Sequence, residues 1–131
     1  DAEADVLIGF EPVETLRALS KCNKDTVVIT NTYPLPPFTV SVGQGVYPPV
    51  DEIMSLIHAK AGKVIALDGN AMAKEAGNPL SLNMVMLGAL SGSGSNPVGA
   101  EDMQKTISTT TKKACLESNL KAFDLGMKSA N

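Results

Sequence analysis

Histidine and cysteine are almost missing from this chain of 131 residues. There is one histidine, His58, and there are two cysteines, Cys22 and Cys115. Two lone thiols cannot build a four-cysteine iron–sulfur or zinc site, and no CxxC spacing occurs. A single imidazole excludes a multi-histidine metal site and makes any Ser-His-Asp or Cys-His arrangement depend on His58. Tryptophan is absent and aromatics make up only 4%, so the core must be aliphatic, with six methionines as filler. Basic residues number 11 and acidic residues 14, for a net charge of -3. That balance speaks against a nucleic-acid groove or an anionic membrane surface as the main partner. No apolar run is long enough to span a bilayer, and no apolar leader stands before the first strand. If the chain belongs to an enzyme, these absences place most of the chemistry elsewhere.

What is present suits a globular protein: 44% hydrophobic and 19% charged. The length fits one domain, able to bury about two thirds of its unfolded surface without disulfide or metal staples. Reduced thiols fit a cytoplasmic setting. Three apolar runs punctuate the first half: Val6-Leu7-Ile8-Gly9, Val27-Val28-Ile29-Thr30 and Val64-Ile65-Ala66-Leu67. Each is continuous, the mark of a strand buried on both faces. Between them lie helical patterns, one opened by Pro12 and reaching Lys21, the other over 51–61 with Ile53, Met54 and Ile57 on one stripe. Strand and helix alternate as in a parallel α/β sheet. The fold expected is a single-domain, three-layer, Rossmann-like α/β architecture, a mostly parallel sheet with helices on both faces.

The stretch 31–49 interrupts this rhythm with five prolines. Phe38-Thr39-Val40-Ser41-Val42 alternates apolar and polar and reads as an extended edge arm, with Gly43-Gln44-Gly45 a turn at its tip. The second half reads as helical. Asp68 caps a helix over 71–76 closed by Gly77. A helix over 79–90 is apolar on every side and should be buried all round. Residues 91–97 read as a flexible linker. A polar helix over 100–109 and a last helix with Leu116, Leu120, Phe123 and Met127 on one stripe follow.

Few groups offer chemistry. Asp68-Gly69-Asn70, with Asn96 beyond, is a faint echo of a thiamine diphosphate motif, but Leu67 stands where the first glycine belongs, and capping is the stronger reading. Gly43-Gln44-Gly45 lacks the strand-to-helix setting of a phosphate loop. His58 is expected to be a partly exposed helix residue. Strand C-termini are where open α/β sheets bind ligands. Here they carry Phe10-Glu11-Pro12, Asn31-Thr32 and Asp68-Gly69-Asn70, expected to converge on one sheet edge. Two readings stand side by side there, a binding or docking edge and plain helix capping.

Taken in order, the segments resemble a known family. Ala4-Asp5-Val6-Leu7-Ile8-Gly9-Phe10-Glu11-Pro12 with Glu14-Thr15-Leu16-Arg17-Ala18-Leu19 is similar to the "ADLLIGLEPLEALRAL" element of the gamma-type domain of 2-oxoacid:ferredoxin oxidoreductases. Val27 to Thr32 resembles its next strand. Ala71-Met72-Ala73-Lys74-Glu75-Ala76-Gly77 leading to Asn83-Met84-Val85-Met86-Leu87-Gly88-Ala89 resembles its helix pair, and Asn119-Leu120-Lys121-Ala122-Phe123 with Gly126 its closing helix. The proline-rich arm is most like the indolepyruvate branch, where this domain is the beta subunit. The family's opening strand and Gly-x-Gly-Gly-Gln-Gly turn have no counterpart, so residues 1–131 are expected to be that domain lacking its N-terminal portion. The resemblance implies an accessory subunit in the oxidative decarboxylation of a 2-oxoacid to an acyl-CoA, with electrons passed to ferredoxin. Thiamine diphosphate, Mg and the Fe-S clusters would sit on a partner subunit, leaving no cofactor, metal or catalytic residue in this chain. Glu11, Asn31, Tyr47, Asp68 and Asn83 are then the interface or structural candidates. Asn83, an amide amid apolar neighbours, needs a hydrogen-bond partner inside the domain or across a subunit face. The rival reading is a free-standing small-ligand or nucleotide-binding α/β module, and a third is a flavodoxin-like electron carrier.

Overall fold

The computed structural model describes residues 2–131. β1 (Val6–Gly9) leads into α1 (Pro12–Arg17), which tightens into a 3-10 turn over Ala18–Lys21. β2 (Val27–Asn31) pairs in parallel with β1, Val6 opposite Val27 and Gly9 opposite Thr30. The proline-rich stretch holds one helical turn, α2 (Phe38–Ser41), and leads to α3 (Val50–Lys60). β3 (Lys63–Leu67) completes a three-stranded parallel sheet in the order β1-β2-β3. After it come α4 (Gly69–Glu75), α5 (Leu82–Gly92), α6 (Ala100–Thr110) and α7 (Leu116–Ser129), with short 3-10 turns at Pro79–Ser81 and Lys113–Cys115. The α/β class and the parallel sheet are as expected. The chain gathers into two compact units, residues 1–64 and 65–131.

In the first unit, Cys22, Val28, Ile53, Ile57 and Ala61 form a buried cluster, with Leu7, Val13, Leu16 and Tyr47 packed against it. The apolar stripe of α3 meets the sheet here as its spacing requires. Burial on both strand faces holds only for β2, whose Val28, Ile29, Thr30 and Asn31 are all buried. It does not hold for β1, three of whose four residues are partly open, or for β3, where Lys63 and Ala66 are exposed. A sheet of three strands has one interior strand, and a continuous apolar run does not say which strand that is.

The expected extended arm over Phe38–Val42 is instead a helical turn. Pro37 sits at its N-cap in extended backbone, and its carbonyl accepts from the Val40 and Ser41 amides at 3.0 and 3.3 Å. Two prolines in a row fix φ where a helix can begin. Five alternating residues are too few to tell a strand from one helical turn. Gly43 takes φ +77° in the turn that follows.

In the second unit, α5 packs along α7, with Val85, Met86, Ala89, Ala122 and Phe123 buried. The expected burial of residues 79–90 on every face is not found. The segment starts as a 3-10 turn in which Leu80 is 87% exposed, and α5 turns only its Val85–Met86–Ala89 side inward, leaving Asn83 exposed. Residues 91–97 are not a loose linker either. α5 runs on to Gly92, Ser93 donates to Leu90, and the Asn96 amide reaches the Val98 carbonyl. The two long helices approach closely enough that a Cβ at Gly88 would meet the Phe123 carbonyl, and one at Gly126 the Val85 carbonyl. Backbone oxygens cannot swing aside as a side-chain tip can, so both positions need glycine. Gly88→Ala is expected to lower stability by about 2–3 kcal/mol, although alanine is the better helix former. Gly99→Ala, where a Cβ meets only the Asp102 side chain at 3.9 Å, is the control and should change stability by no more than about 0.5 kcal/mol. Urea unfolding followed by circular dichroism checks both.

Candidate functional site at the strand ends

Glu11 stands between β1 and α1 with extended backbone, φ -153° and ψ 140°. Pro12, the first helical residue, has no N–H to satisfy, so the first free amides of α1 belong to Val13 and Glu14. One carboxylate oxygen of Glu11 accepts from both, the bond to Glu14 measuring 3.3 Å. The other accepts from the Leu35 amide at 3.4 Å and from the Tyr47 hydroxyl at 3.1 Å. The residue is 9% exposed. A carboxylate taken from water needs such a shell of donors. Here they come from one helix start and from two points on the proline-rich arm.

Under the carboxylate the strand ends are tied by hydroxyls and an amide. Thr15, one helical turn beyond Glu11, donates from Oγ1 to the Glu11 carbonyl at 2.7 Å and lies 2.9 Å from Thr30 Oγ1. Asn31 donates from Nδ2 to the Phe10 carbonyl at 3.0 Å and accepts from the Tyr33 amide at 3.2 Å. Thr15, Thr30 and Asn31 are all buried. The structure therefore brings together three of the expected residues: Glu11, Asn31 and Tyr47. Of the two caps foreseen here, Glu11 opens α1, while Asn31 opens no helix and instead links the ends of β1 and β2.

The other two candidates lie in the second unit. Asp68 caps α4, accepting from the Ala71 amide at 3.0 Å. Asn83 is exposed on α5 and accepts from the Met84 amide next to it at 3.0 Å. Its side chain is not enclosed by its apolar sequence neighbours, because the buried side of α5 points elsewhere. His58 is exposed on α3. Thr15, Thr30 and the Leu35 amide belong to the strand-end network and were not among the residues expected. The four-residue step from Glu11 to Thr15 is a usable signal. A backbone amide twenty-four positions away leaves none.

The arrangement holds shape. Every polar atom described around Glu11 is engaged in positioning a strand end, a helix start or the arm. Among the described residues no group of three or more His, Cys, Asp or Glu side chains is placed to hold a metal ion. The donor set does not fit an iron–sulfur cluster. Cys22 is fully buried, burial pushes its thiol above its usual range, and Cys115 lies in the other unit. Asp68, the acidic residue of the faint thiamine diphosphate echo, serves as the cap of α4 through one carboxylate oxygen. A hollow of about 350 Å³ in the second unit is lined by Ala76, Gly77, Asn78, Ala114, Glu117 and Ser118, with no ammonium, thiol or imidazole among them.

The Tyr47 phenol is pushed up to about 12, by burial first and then by its hydrogen bond to Glu11 and the negative charge there. The neutral phenol is the form the fold favours. The stability it contributes is complete below the ordinary tyrosine value of 10.0 and is lost as pH rises towards about 12. In an ultraviolet absorbance titration a phenol should ionise near 12 in the wild-type chain. That step should disappear in Tyr47→Phe and move down in Glu11→Gln. A Tyr47 phenol that ionises at the same pH in Glu11→Gln as in the wild-type chain would mean that the contact does not form.

A family model described as pyruvate ferredoxin/flavodoxin oxidoreductase matches residues 1–129. The chain is 39% identical over 131 residues to the indolepyruvate oxidoreductase subunit IorB of Pyrococcus horikoshii, covering 99% of this chain and 65% of that protein. It is 39% identical over 130 residues to the subunit of the same name from Methanothermobacter thermautotrophicus, covering 99% of this chain and 66% of that protein. The chain thus spans a little under two thirds of the length of these relatives. The gamma subunit of a keto/oxoacid ferredoxin oxidoreductase from Geobacter sulfurreducens shares its fold, with a TM-score of 0.68 at 20% identity over 96% of this chain and 63% of that one. The family model covers nearly the whole chain, and the chain belongs to the pyruvate ferredoxin/flavodoxin oxidoreductase family.

Proposed function

We propose that this chain is part of an accessory subunit of a 2-oxoacid:ferredoxin oxidoreductase, with indolepyruvate as the substrate class. The observation that carries this reading is 39% identity over 99% of the chain to proteins named as indolepyruvate oxidoreductase subunits. The reaction is the oxidative decarboxylation of a 2-oxoacid with coenzyme A to an acyl-CoA and carbon dioxide, its two electrons passing to ferredoxin. In this reading thiamine diphosphate, Mg and the Fe-S clusters belong to a partner subunit, and this chain contributes a shaped surface in a cytoplasmic complex. The donor chemistry supports that division, because two free thiols, one of them buried, and one exposed imidazole fall short of a cluster's four ligands. Glu11, Asn31 and Tyr47 act as the frame of the strand-end edge and Asp68 as a helix cap, while Asn83 is an exposed contact for a neighbouring subunit. Residues 1–131 act as one gamma-type domain. Neither nucleic acid nor membrane is a partner. Among the described residues no helix is long and apolar enough to cross a membrane.

Reconstitution tests the proposal. The purified chain alone should show no turnover and no thiamine diphosphate binding. Mixed with the thiamine-diphosphate-bearing subunit of the same organism, it should form a complex that reduces ferredoxin in the presence of indolepyruvate and coenzyme A. Turnover by the chain alone, or its tight binding of a nucleotide, would contradict the proposal.

A further inference from the structure

The arm between β2 and α3 is pinned at two points that share one atom. The Leu35 amide and the Tyr47 hydroxyl both donate to Oε2 of Glu11, at 3.4 and 3.1 Å. Residues 36–46 lie between these stems, and none of them is buried. Among the described residues, every hydrogen bond made by 36–46 stays inside the loop. The Val40 and Ser41 amides donate to Pro37, Val42 to Phe38, Gly43 to Val40 and Gln44 to Thr39. These bonds make one helical turn, α2, and the turn that follows it. A single turn of helix does not persist in water by its own hydrogen bonds, because closing it fixes several residues for one bond. With Phe38 78% and Val46 91% exposed, packing adds little. The order of the loop therefore has to come from its ends.

We propose that residues 36–46 are an order–disorder strap with one latch, the Oε2 atom of Glu11. Shut, the latch holds the two stems together, keeps α2 wound and covers the carboxylate, which is 9% exposed. Open, the loop unwinds and water replaces the Leu35 and Tyr47 donors. One oxygen of Glu11 then faces solvent while the other still caps α1. A carboxylate fills both roles because both of its oxygens accept. A carboxamide has one accepting oxygen, so Glu11→Gln can cap α1 or latch the strap but not both. The entropy of closing the loop is met at that one place, so the latch switches all of 36–46 together and leaves β2 and α3 where they are. The strap is a property of this chain alone and does not rest on the assembly reading above.

Limited digestion of the full chain with chymotrypsin reads the latch at one bond. Tyr33, Leu35 and Tyr47 are each followed by proline, which blocks cleavage, so Phe38–Thr39 is the one bond after Phe, Tyr or Leu in 31–50 that the enzyme can cut. A protease needs an extended segment. Phe38, although exposed, is held in a helical turn and is cut only when the strap opens, at a rate set by the open fraction. The wild-type chain should be cut there about a hundredfold more slowly than a peptide of residues 31–50, about tenfold for each hydrogen bond to the charged latch. Tyr47→Phe removes one donor, keeps the block at Pro48 and should be cut about tenfold faster than wild type. Glu11→Gln should approach the rate of the peptide; if that variant fails to fold, Tyr47→Phe carries the test. In Tyr47→Phe the bonds after Phe10 and Phe123 should stay intact over the same time. Wild-type cleavage at the rate of the peptide, or a Tyr47→Phe chain cut no faster than wild type, would show that Glu11 does not latch the loop. Cleavage after Phe10 in step with cleavage after Phe38 would mean that the first unit opens as a whole, and would also overturn the inference.

Discussion

The carboxylate of Glu11 is the point on which the first unit turns. Four donors meet it, two from the start of α1 and two from the proline-rich arm. A charge at that depth persists only with a full set of hydrogen bonds, and each donor in turn needs an acceptor there. The requirement runs both ways. It fixes where α1 starts, through the Val13 and Glu14 amides, and it fixes the path of a segment whose prolines leave it few backbone donors of its own. Thr15 and Asn31 extend the same network to the ends of both paired strands.

That network also occupies the polar groups of the strand-end edge. In an open parallel sheet this edge is the usual place for a ligand. Here its buried polar groups are turned on one another and on the arm. What faces outward is the arm itself, uncharged and aromatic. The second unit is held together by other means. Its helices α5 and α7 come backbone to backbone at Gly88 and Gly126, so shape complementarity there depends on missing side chains. Both units supply form.

Much of this could be read from the residues alone, and the failures have physical causes. The three strands announced themselves as short apolar runs, and Pro12 and Asp68 marked the starts of α1 and α4 by chemistry local to a few residues. The degree of strand burial did not follow, because Val6-Leu7-Ile8 and Val27-Val28-Ile29 look alike while only the second is interior. The arm was misjudged because alternation over Phe38–Val42 is too short to separate a strand from a turn of helix, and paired prolines favour the latter. The expectation for α5 overestimated burial since composition averages over faces, and Leu80 and Asn83 lie on the open side. At the site, Glu11, Asn31 and Tyr47 were recognisable as polar groups near strand ends. Their meeting with the Leu35 amide and with Thr30 was not, because those contacts join positions fifteen to thirty-six residues apart.

The central claim is that one buried carboxylate sets the arm in place. Amide hydrogen exchange on the wild-type chain and on Glu11→Ala tests it most directly. Faster exchange at Leu35, Val13 and Glu14 in the variant, with β2 amides still protected, is the result predicted. Exchange in the arm that is the same in both proteins would show that something other than Glu11 holds it, and would contradict the account.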